Sequence, residues 1–213
     1  MLASGSPRRR ELLVGLGIAP VVRPVDLDES ELPGEEPAAY VERLARAKAA
    51  ARCEPGELVL AADTTVVIGE RILGKPRSRA ESAAMLAELS GRAHRVLTAI
   101  AVAHRPDPGG PARVSCEVVA TGVRFTTISQ AMRDWYVDTG EGDDKAGGYA
   151  VQGCAGLFVE SIDGSYSNVV GLPLPRLEAL LHRLGSSLLD WISPGAGRRS
   201  RAAAPAPNAG TSP

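Results

Sequence analysis

Residues 57–76, ELVLAADTTVVIGERILGKP, limit the folds open to this chain more than any other stretch. A short apolar run, Leu58 to Ala62, stops at Asp63. Two threonines follow, then a second apolar run, Val66 to Ile68, and a Gly69-Glu70 turn. The chain returns through Ile72 and Leu73 to Gly74-Lys75-Pro76. Apolar runs this short, bounded by a glycine turn, read as paired strands of a covered sheet. A carboxylate at the end of a buried strand, with an ammonium a hairpin away, places an acid and a base around an anion. The same Asp also reads as a turn cap, since a carboxylate after a strand readily accepts from nearby backbone N–H groups. The local pattern leaves both readings open.

Helix and strand patterns interleave on either side. Residues 2–4 end a first strand, and Ser6-Pro7 reads as an N-cap with proline at N1 of a short helix stopping near Gly15 or Gly17. Ile18 to Val25 reads as a strand and 26–37 as an acidic surface loop. Pro37 opens a longer helix to about Arg52, with Tyr40, Val41, Leu44, Ala47 and Ala51 near one face. Ser78 and Glu81 form a capping-box pattern for a helix that closes at Gly91. Strands are expected over 95–103 and 114–125, joined by a surface hairpin at 104–112. A helix from near Ser129, a strand over 157–162 and a final helix opened by Pro175 and running to Leu184 complete the pattern. The alternation favours an α/β class with a mixed sheet. No GxGxxG follows the first strand and no GxxxxGK[ST] occurs, which excludes a dinucleotide fold and a P-loop.

A chain of 213 residues has room for one domain, here 1–192, with two lobes at most. Residues 193–213 collapse into Ser, Pro, Gly, Ala and Arg and are expected to be a disordered tail. A formal net charge of -1 gives no drive toward nucleic acid or an anionic membrane. Three cysteines, Cys53, Cys116 and Cys154, have no metal spacing and suit a reducing compartment. With no apolar signal core and no long apolar run, a soluble, cytoplasmic protein is expected.

Three regions carry polar groups suited to chemistry. Ser4, Ser6, Arg8 and Arg9 sit where a first strand meets a first helix, where free N–H groups and the helix dipole favour an anion. The guanidinium groups add paired donors for phosphate oxygens. The loop 26–36 offers carboxylates, Glu29 among them, that a divalent cation bridging to phosphate would use. Lys48 lies near the apolar side of its helix and either snorkels or points to an anion. The stretch 138–156, DTGEGDDKAGGYAVQGCAG, holds Asp144, Lys145 and Gln152 among glycines that permit close approach of backbone to a ligand. A Gln amide both donates and accepts, as the imide edge of a pyrimidine requires. Ser165 to Asn168 add polar groups before an apolar turn. His94, His104 and His182 share no ligand spacing, which argues against zinc and against a serine triad.

Taken in order, LASGSPRRREL, YVERLARAKA, ADTTVV, ILGKP, LSGRAHRVLTA, YVDTGEGDDKAGGYAVQG and IDGSYSNVVGLPL resemble the Maf family, nucleotide pyrophosphatases once described as septum-formation inhibitors. The resemblance runs from Leu2 to about Leu184. It implies an elongated mixed sheet flanked by helices and split by a central cleft, similar to the inosine triphosphate pyrophosphatase group, usually as a homodimer. It implies hydrolysis of a nucleoside triphosphate between its α and β phosphates, giving the monophosphate and pyrophosphate. Asp63 matches the catalytic acid position, as a proton acceptor or as the orienter of a metal-bound water. Glu29 and Asp63 would serve Mg²⁺ or Mn²⁺. Ser6, Arg9, Lys48 and Lys75 match triphosphate-facing positions, and Ser4, Asp144, Lys145 and Asn168, picked out above by residue type and place, join them as expected substrate contacts. Arg8, Thr64 and Gln152 match positions linked to substrate choice, and DKAGGYAVQG resembles the dTTP/UTP-preferring branch. The alternatives are a 7-methyl-GTP or broader purine nucleotide pyrophosphatase, a regulator of septum formation without catalysis, and a nucleic-acid binder using Arg8 to Arg10, against which the near-neutral charge argues.

Overall fold

The structure, a computed structural model, describes residues 1–51, 53–105 and 110–192; the expected tail at 193–213 and the tip of the 104–112 connection lie outside them. Its helices are α1 (Pro7–Gly15), α2 (Pro37–Ala51), α3 (Arg79–Leu89), α4 (Gln130–Thr139), α5 (Tyr166–Val170) and α6 (Leu174–Arg183). Its strands are β1 (Leu58–Ile68), β2 (Arg71–Leu73), β3 (Ala93–His104), β4 (Arg113–Phe125) and β5 (Val159–Asp163). They form one five-stranded sheet in the order β2-β1-β3-β4-β5. Every pairing of these strands is antiparallel. Parallel pairing survives only as isolated bridges, including Leu2 to Leu60 and Leu2 to Val22.

The two apolar runs around Asp63 belong to one continuous strand, so Asp63 stands inside β1, opposite Ala99, and not at its end. Strand side chains alternate between faces. One face of β1 and β3 presents Val59, Ala61, Val67, Leu97, Ala99, Ala101 and Ala103 to Val41, Ala45 and Ala49 of α2. Small residues on both sides let the helix lie close to the sheet. Its buried stripe runs Val41, Leu44, Ala45, Lys48, Ala49, which leaves Ala47 and Ala51 outside and puts Lys48 on the inward side.

The opposite face is divided. Leu60, Ala62, Ile100 and Val102 pack with Leu2, Leu13 and the α6 leucines Leu177, Leu180 and Leu181. Val66, Ile68 and Val96 pack with Met85, Leu86 and Leu89 of α3 and with Phe125, Tyr136, Tyr149 and Phe158. Between these two apolar clusters lie Thr64 and the fully buried Thr98 and Asn168. Thr64 Oγ1 meets Thr98 Oγ1 at 3.0 Å, and Thr98 Oγ1 donates to the Asn168 carbonyl at 3.0 Å. A hydrogen-bonded polar belt thus crosses the sheet where a continuous core would otherwise run.

Two expected elements change. Ile18 to Val25 forms only the bridge at Val22; Pro20 and Pro24 withhold ladder donors, and Val21 stays exposed. The polar run at 165–168, expected only to precede an apolar turn, opens the short helix α5, capped by Ser165 accepting from Asn168 N and closed by Gly171 at φ +117°. Ser78 caps α3 as expected, but the Glu81 carboxylate accepts from Arg77 N, one residue earlier than a capping box requires. Among the described residues no helix is long and apolar enough to cross a membrane.

Candidate active site

Beside β1 the sheet edge is interrupted. Leu60 exchanges backbone hydrogen bonds with Met1 and Ala3, and β2 pairs only from Val66 onward. A cleft of about 1230 Å³ opens over the gap between them, and Asp63, Thr64, Thr65 and Val66 line it. Because the gap lies at the strand's edge, side chains from both faces of β1 reach one space.

On the α2 face, Lys48 Nζ donates to Asp63 Oδ1 at 2.6 Å and to Glu29 Oε1 at 2.5 Å. Lys48 and Asp63 are buried, at 8% and 7% exposure. An unpaired charge at such burial would be costly, and the pairing offsets that cost. Burial still pushes the Asp63 carboxyl above the ordinary aspartate range, while Lys48 and Arg9 pull against it. Lys75 Nζ approaches the other Glu29 oxygen at 3.8 Å. The acidic loop is held in place by α2: Tyr40 donates to the Glu29 carbonyl at 3.0 Å, and Arg43 clasps Glu35 and the Ser30 carbonyl. Burial first, then the Asp63 and Glu29 charges, push the Tyr40 phenol up to about 12.

On the opposite face Arg9 donates to Gly171 O at 2.8 Å, to Ser4 Oγ at 2.9 Å and to Thr64 Oγ1 at 2.9 Å. It joins the polar belt to the chain start and to α5. Ser4 also takes Ser6 N at 3.2 Å, while the Ser6 hydroxyl caps nothing at the start of α1. The first turn of α1 has no acidic residue, so its dipole and Arg8 face the cleft without an internal counter-ion in that turn. Burial lowers the pKa of Arg8 and of Lys145; Lys145 pairs with Asp144 and is pushed lower still by the Arg8 and Lys75 charges.

The cleft brings together Ser4, Ser6, Arg8, Arg9, Glu29, Lys48, Asp63, Thr64, Lys75, Asp144, Lys145 and Gln152. Asn168 is the exception. It is fully buried, and its Nδ2 donates to Val96 O and to Thr121 Oγ1, both at 3.0 Å. It fastens α5 under β3 and does not line the cleft; Val169 and Val170 do. The lining residues that the sequence reading did not single out include Tyr40, Arg77, Glu141 and Tyr149. Tyr40 carries no polar pattern in sequence, and Glu141 is one acid among several in a polar loop. The glycines of that loop do give a signal. Gly147 has φ +69°, and a Cβ there would lie 2.8 Å from Val66 Cγ2, so the loop presses on β1 where a side chain has no room.

Among the described residues no group of three or more His, Cys, Asp or Glu gathers as a metal cluster. The donors at hand are the Asp63 and Glu29 carboxylates, joined by Lys48. Two carboxylates beside a phosphate-binding surface fit Mg²⁺, which takes few protein ligands and completes its shell with water and phosphate.

The sheet thus opens at one edge onto a cleft that gathers cations around a buried carboxylate. The chain belongs to the Maf-like protein family, whose sequence signature matches residues 1–184. It is 54% identical over 195 residues, 92% of this chain and 93% of the relative, to a dTTP/UTP pyrophosphatase of Anaeromyxobacter sp. (strain Fw109-5). It is 50% identical over 190 residues, 88% of this chain and 93% of the relative, to a dTTP/UTP pyrophosphatase of Myxococcus xanthus (strain DK1622). Among solved structures it is similar to a HAM1 protein from Coxiella burnetii, with a TM-score of 0.40 at 17% identity, covering 85% of this chain and 97% of that one.

Proposed function

We propose that this protein hydrolyses dTTP, UTP and related modified pyrimidine triphosphates between the α and β phosphates, releasing the nucleoside monophosphate and pyrophosphate. The observation that carries the reading is the Asp63–Lys48–Glu29 cluster at the gap in the β1 edge, with Arg8, Lys75, Arg77 and Lys145 around the same cleft. The half-identical relatives named dTTP/UTP pyrophosphatase supply the substrate class.

Water attacks the α phosphorus, the bond from that phosphorus to the α–β bridging oxygen breaks, and pyrophosphate leaves with the electron pair. In this reading Asp63 orients the attacking water and receives its proton. Its elevated pKa makes it a better acceptor than a solvated aspartate. Lys48 holds Asp63 in a fixed position and balances its charge. Lys75, Arg77 and Lys145 face the cleft, where they stabilise charge gathering on the leaving pyrophosphate. A divalent cation, Mg²⁺ or Mn²⁺, would be held by Asp63 and Glu29 and supplies further neutralisation of phosphate oxygens. The Gln152 side chain, exposed in the cleft, offers a donor and an acceptor to a pyrimidine imide edge.

The test is the identity of the first phosphorus product from dTTP with Mg²⁺. Pyrophosphate in stoichiometric amount with dTMP is expected, and Asp63→Asn is expected to lower kcat at least about 10³-fold with unchanged folding. Orthophosphate as the first product would refute α–β cleavage. A preference for ITP or 7-methyl-GTP over dTTP would refute the pyrimidine assignment.

A further inference from the structure

We infer that Glu141, acting with Tyr136, is a positioning residue that fixes the segment carrying Gln152 and thereby sets discrimination between nucleobases; the inference rests on the reading of the cleft given above. Glu141 follows α4 directly after Gly140, which turns the chain at φ +68°. Its own N–H donates to Thr139 Oγ1 at 3.2 Å, and that hydroxyl donates to Tyr136 O at 2.6 Å. The base of the side chain is therefore tied to the helix end.

Its carboxylate reaches across to the far side of the loop. Oε2 accepts from Cys154 N at 2.9 Å, and Oε1 accepts from Ala155 N at 3.4 Å and from the Tyr136 hydroxyl at 2.9 Å. The Tyr136 oxygen in turn accepts from Ala150 N at 3.0 Å. Residues 150 and 154–155 are thus both fastened to α4, and Gln152 stands at the crest between the two anchors. Gly153 makes the crossing possible, because a Cβ at that position would overlap the Glu141 carboxylate. Burial works to raise the Glu141 pKa, yet the donated hydrogen bonds from the Cys154 amide, Tyr136 and the Ala155 amide hold it low overall.

Three donors converge on a group that only accepts, so a carboxylate fits here and an amide does not. The consequence for recognition follows from the chemistry of Gln152. A primary amide that turns over exchanges its donor and acceptor. The Glu141–Tyr136 brace fixes the backbone on either side of Gln152, and with it the place from which the amide reaches the base. A loose segment would let the amide meet either pyrimidine edge from many positions, whereas a fixed one limits it to the approach that suits the thymine imide edge.

Steady-state kinetics on dTTP and dCTP for the wild type, Glu141→Ala, Glu141→Gln and Tyr136→Phe test this, with inhibition by inorganic tripolyphosphate as a probe of the phosphate region alone. In Glu141→Ala the dTTP-to-dCTP ratio of kcat/KM is expected to fall at least about tenfold, through KM for dTTP, with kcat on dTTP within about threefold. Tripolyphosphate inhibition should not move. Tyr136→Phe frees the Ala150 anchor and removes one donor to Glu141 but leaves the Cys154 and Ala155 anchors, so it should shift the ratio the same way and less. An equal loss of kcat on both nucleotides with an unchanged ratio would overturn the inference and leave the proposed hydrolysis standing. A wild type that does not prefer dTTP would overturn the reading of the cleft instead. Thermal melts accompany each variant, and if Glu141→Ala does not fold, the ratio measured on the near-isosteric Glu141→Gln decides.

Discussion

Asp63 carries its charge where water reaches it poorly. Burial raises its pKa above the ordinary 3.8, and Lys48 and Arg9 moderate the rise. In the proposed mechanism the carboxylate form orients water and accepts a proton, so activity is expected to fall as pH drops through this raised value. The acid limb of the kcat/KM profile is therefore expected above 3.8 and, in Lys48→Met, higher still, because the cation that favours the charged form is gone. An acid limb that does not move on loss of Lys48 would show that another group titrates. At this scale the sequence was legible in part. Asp63 and Lys48 were both visible as candidates, but not their direct bond, which needs residue 48 on the buried stripe of α2. The helical pattern placed that stripe one residue off because Ala47 and Ala51 are as apolar as Ala45 and Ala49. Asn168 looked like a ligand-facing amide for a similar reason: polarity in sequence does not say whether a side chain meets solvent or a backbone carbonyl.

Among the elements, β3 and the 140–157 loop meet through His94. Its Nε2 lies 2.8 Å from the Tyr149 hydroxyl, and its ring meets the Phe125 and Tyr149 rings edge-on. Burial lowers its pKa from 6.5 to about 4. In the unfolded chain His94 takes its proton near 6.5, and in the folded protein only near 4, so the unfolded state binds more protons between those values. Stability from this site is full above pH 6.5 and is lost as pH falls toward 4, by about 3 kcal/mol in total. Urea unfolding at pH 7 and 4.5 checks it, and His94→Gln should flatten the slope. Sequence alone gave His94 no ligand spacing and no triad, and the aromatic pocket makes it a structural residue. Most element positions were open to reading because proline, capping serine and glycine mark their ends. The strand at 18–25 was overread because the β-branched Ile18, Val21, Val22 and Val25 outweighed Pro20 and Pro24. The start of α5 was missed because a single turn has too little periodicity to show.

Across the whole molecule, Arg9 joins α1, the chain start, β1 and α5 with its three hydrogen bonds. Arg9→Met leaves Ser4, Thr64 and the Gly171 carbonyl without this partner at once. Hydrogen bonds to a charged group contribute about 1.5–3 kcal/mol each, not additively, so a loss of about 3 kcal/mol is expected, measured by chemical denaturation. Arg8→Ala, whose side chain holds no such network, should leave stability nearly unchanged and raise KM. Equal stability losses in the two variants would contradict the strut role of Arg9. The helical pattern did not tell these two neighbouring arginines apart, and the resemblance separated them only by expected substrate role; the strut role of Arg9 comes from partners that include Gly171, 162 positions away.

Strand alternation sends Asp63 toward α2 and its neighbour Thr64 toward Arg9 and the polar belt. Gln152 hangs from a third support, the end of α4. Under the proposed function, the segment that meets the base can therefore change without disturbing the separate supports of Asp63 and Thr64.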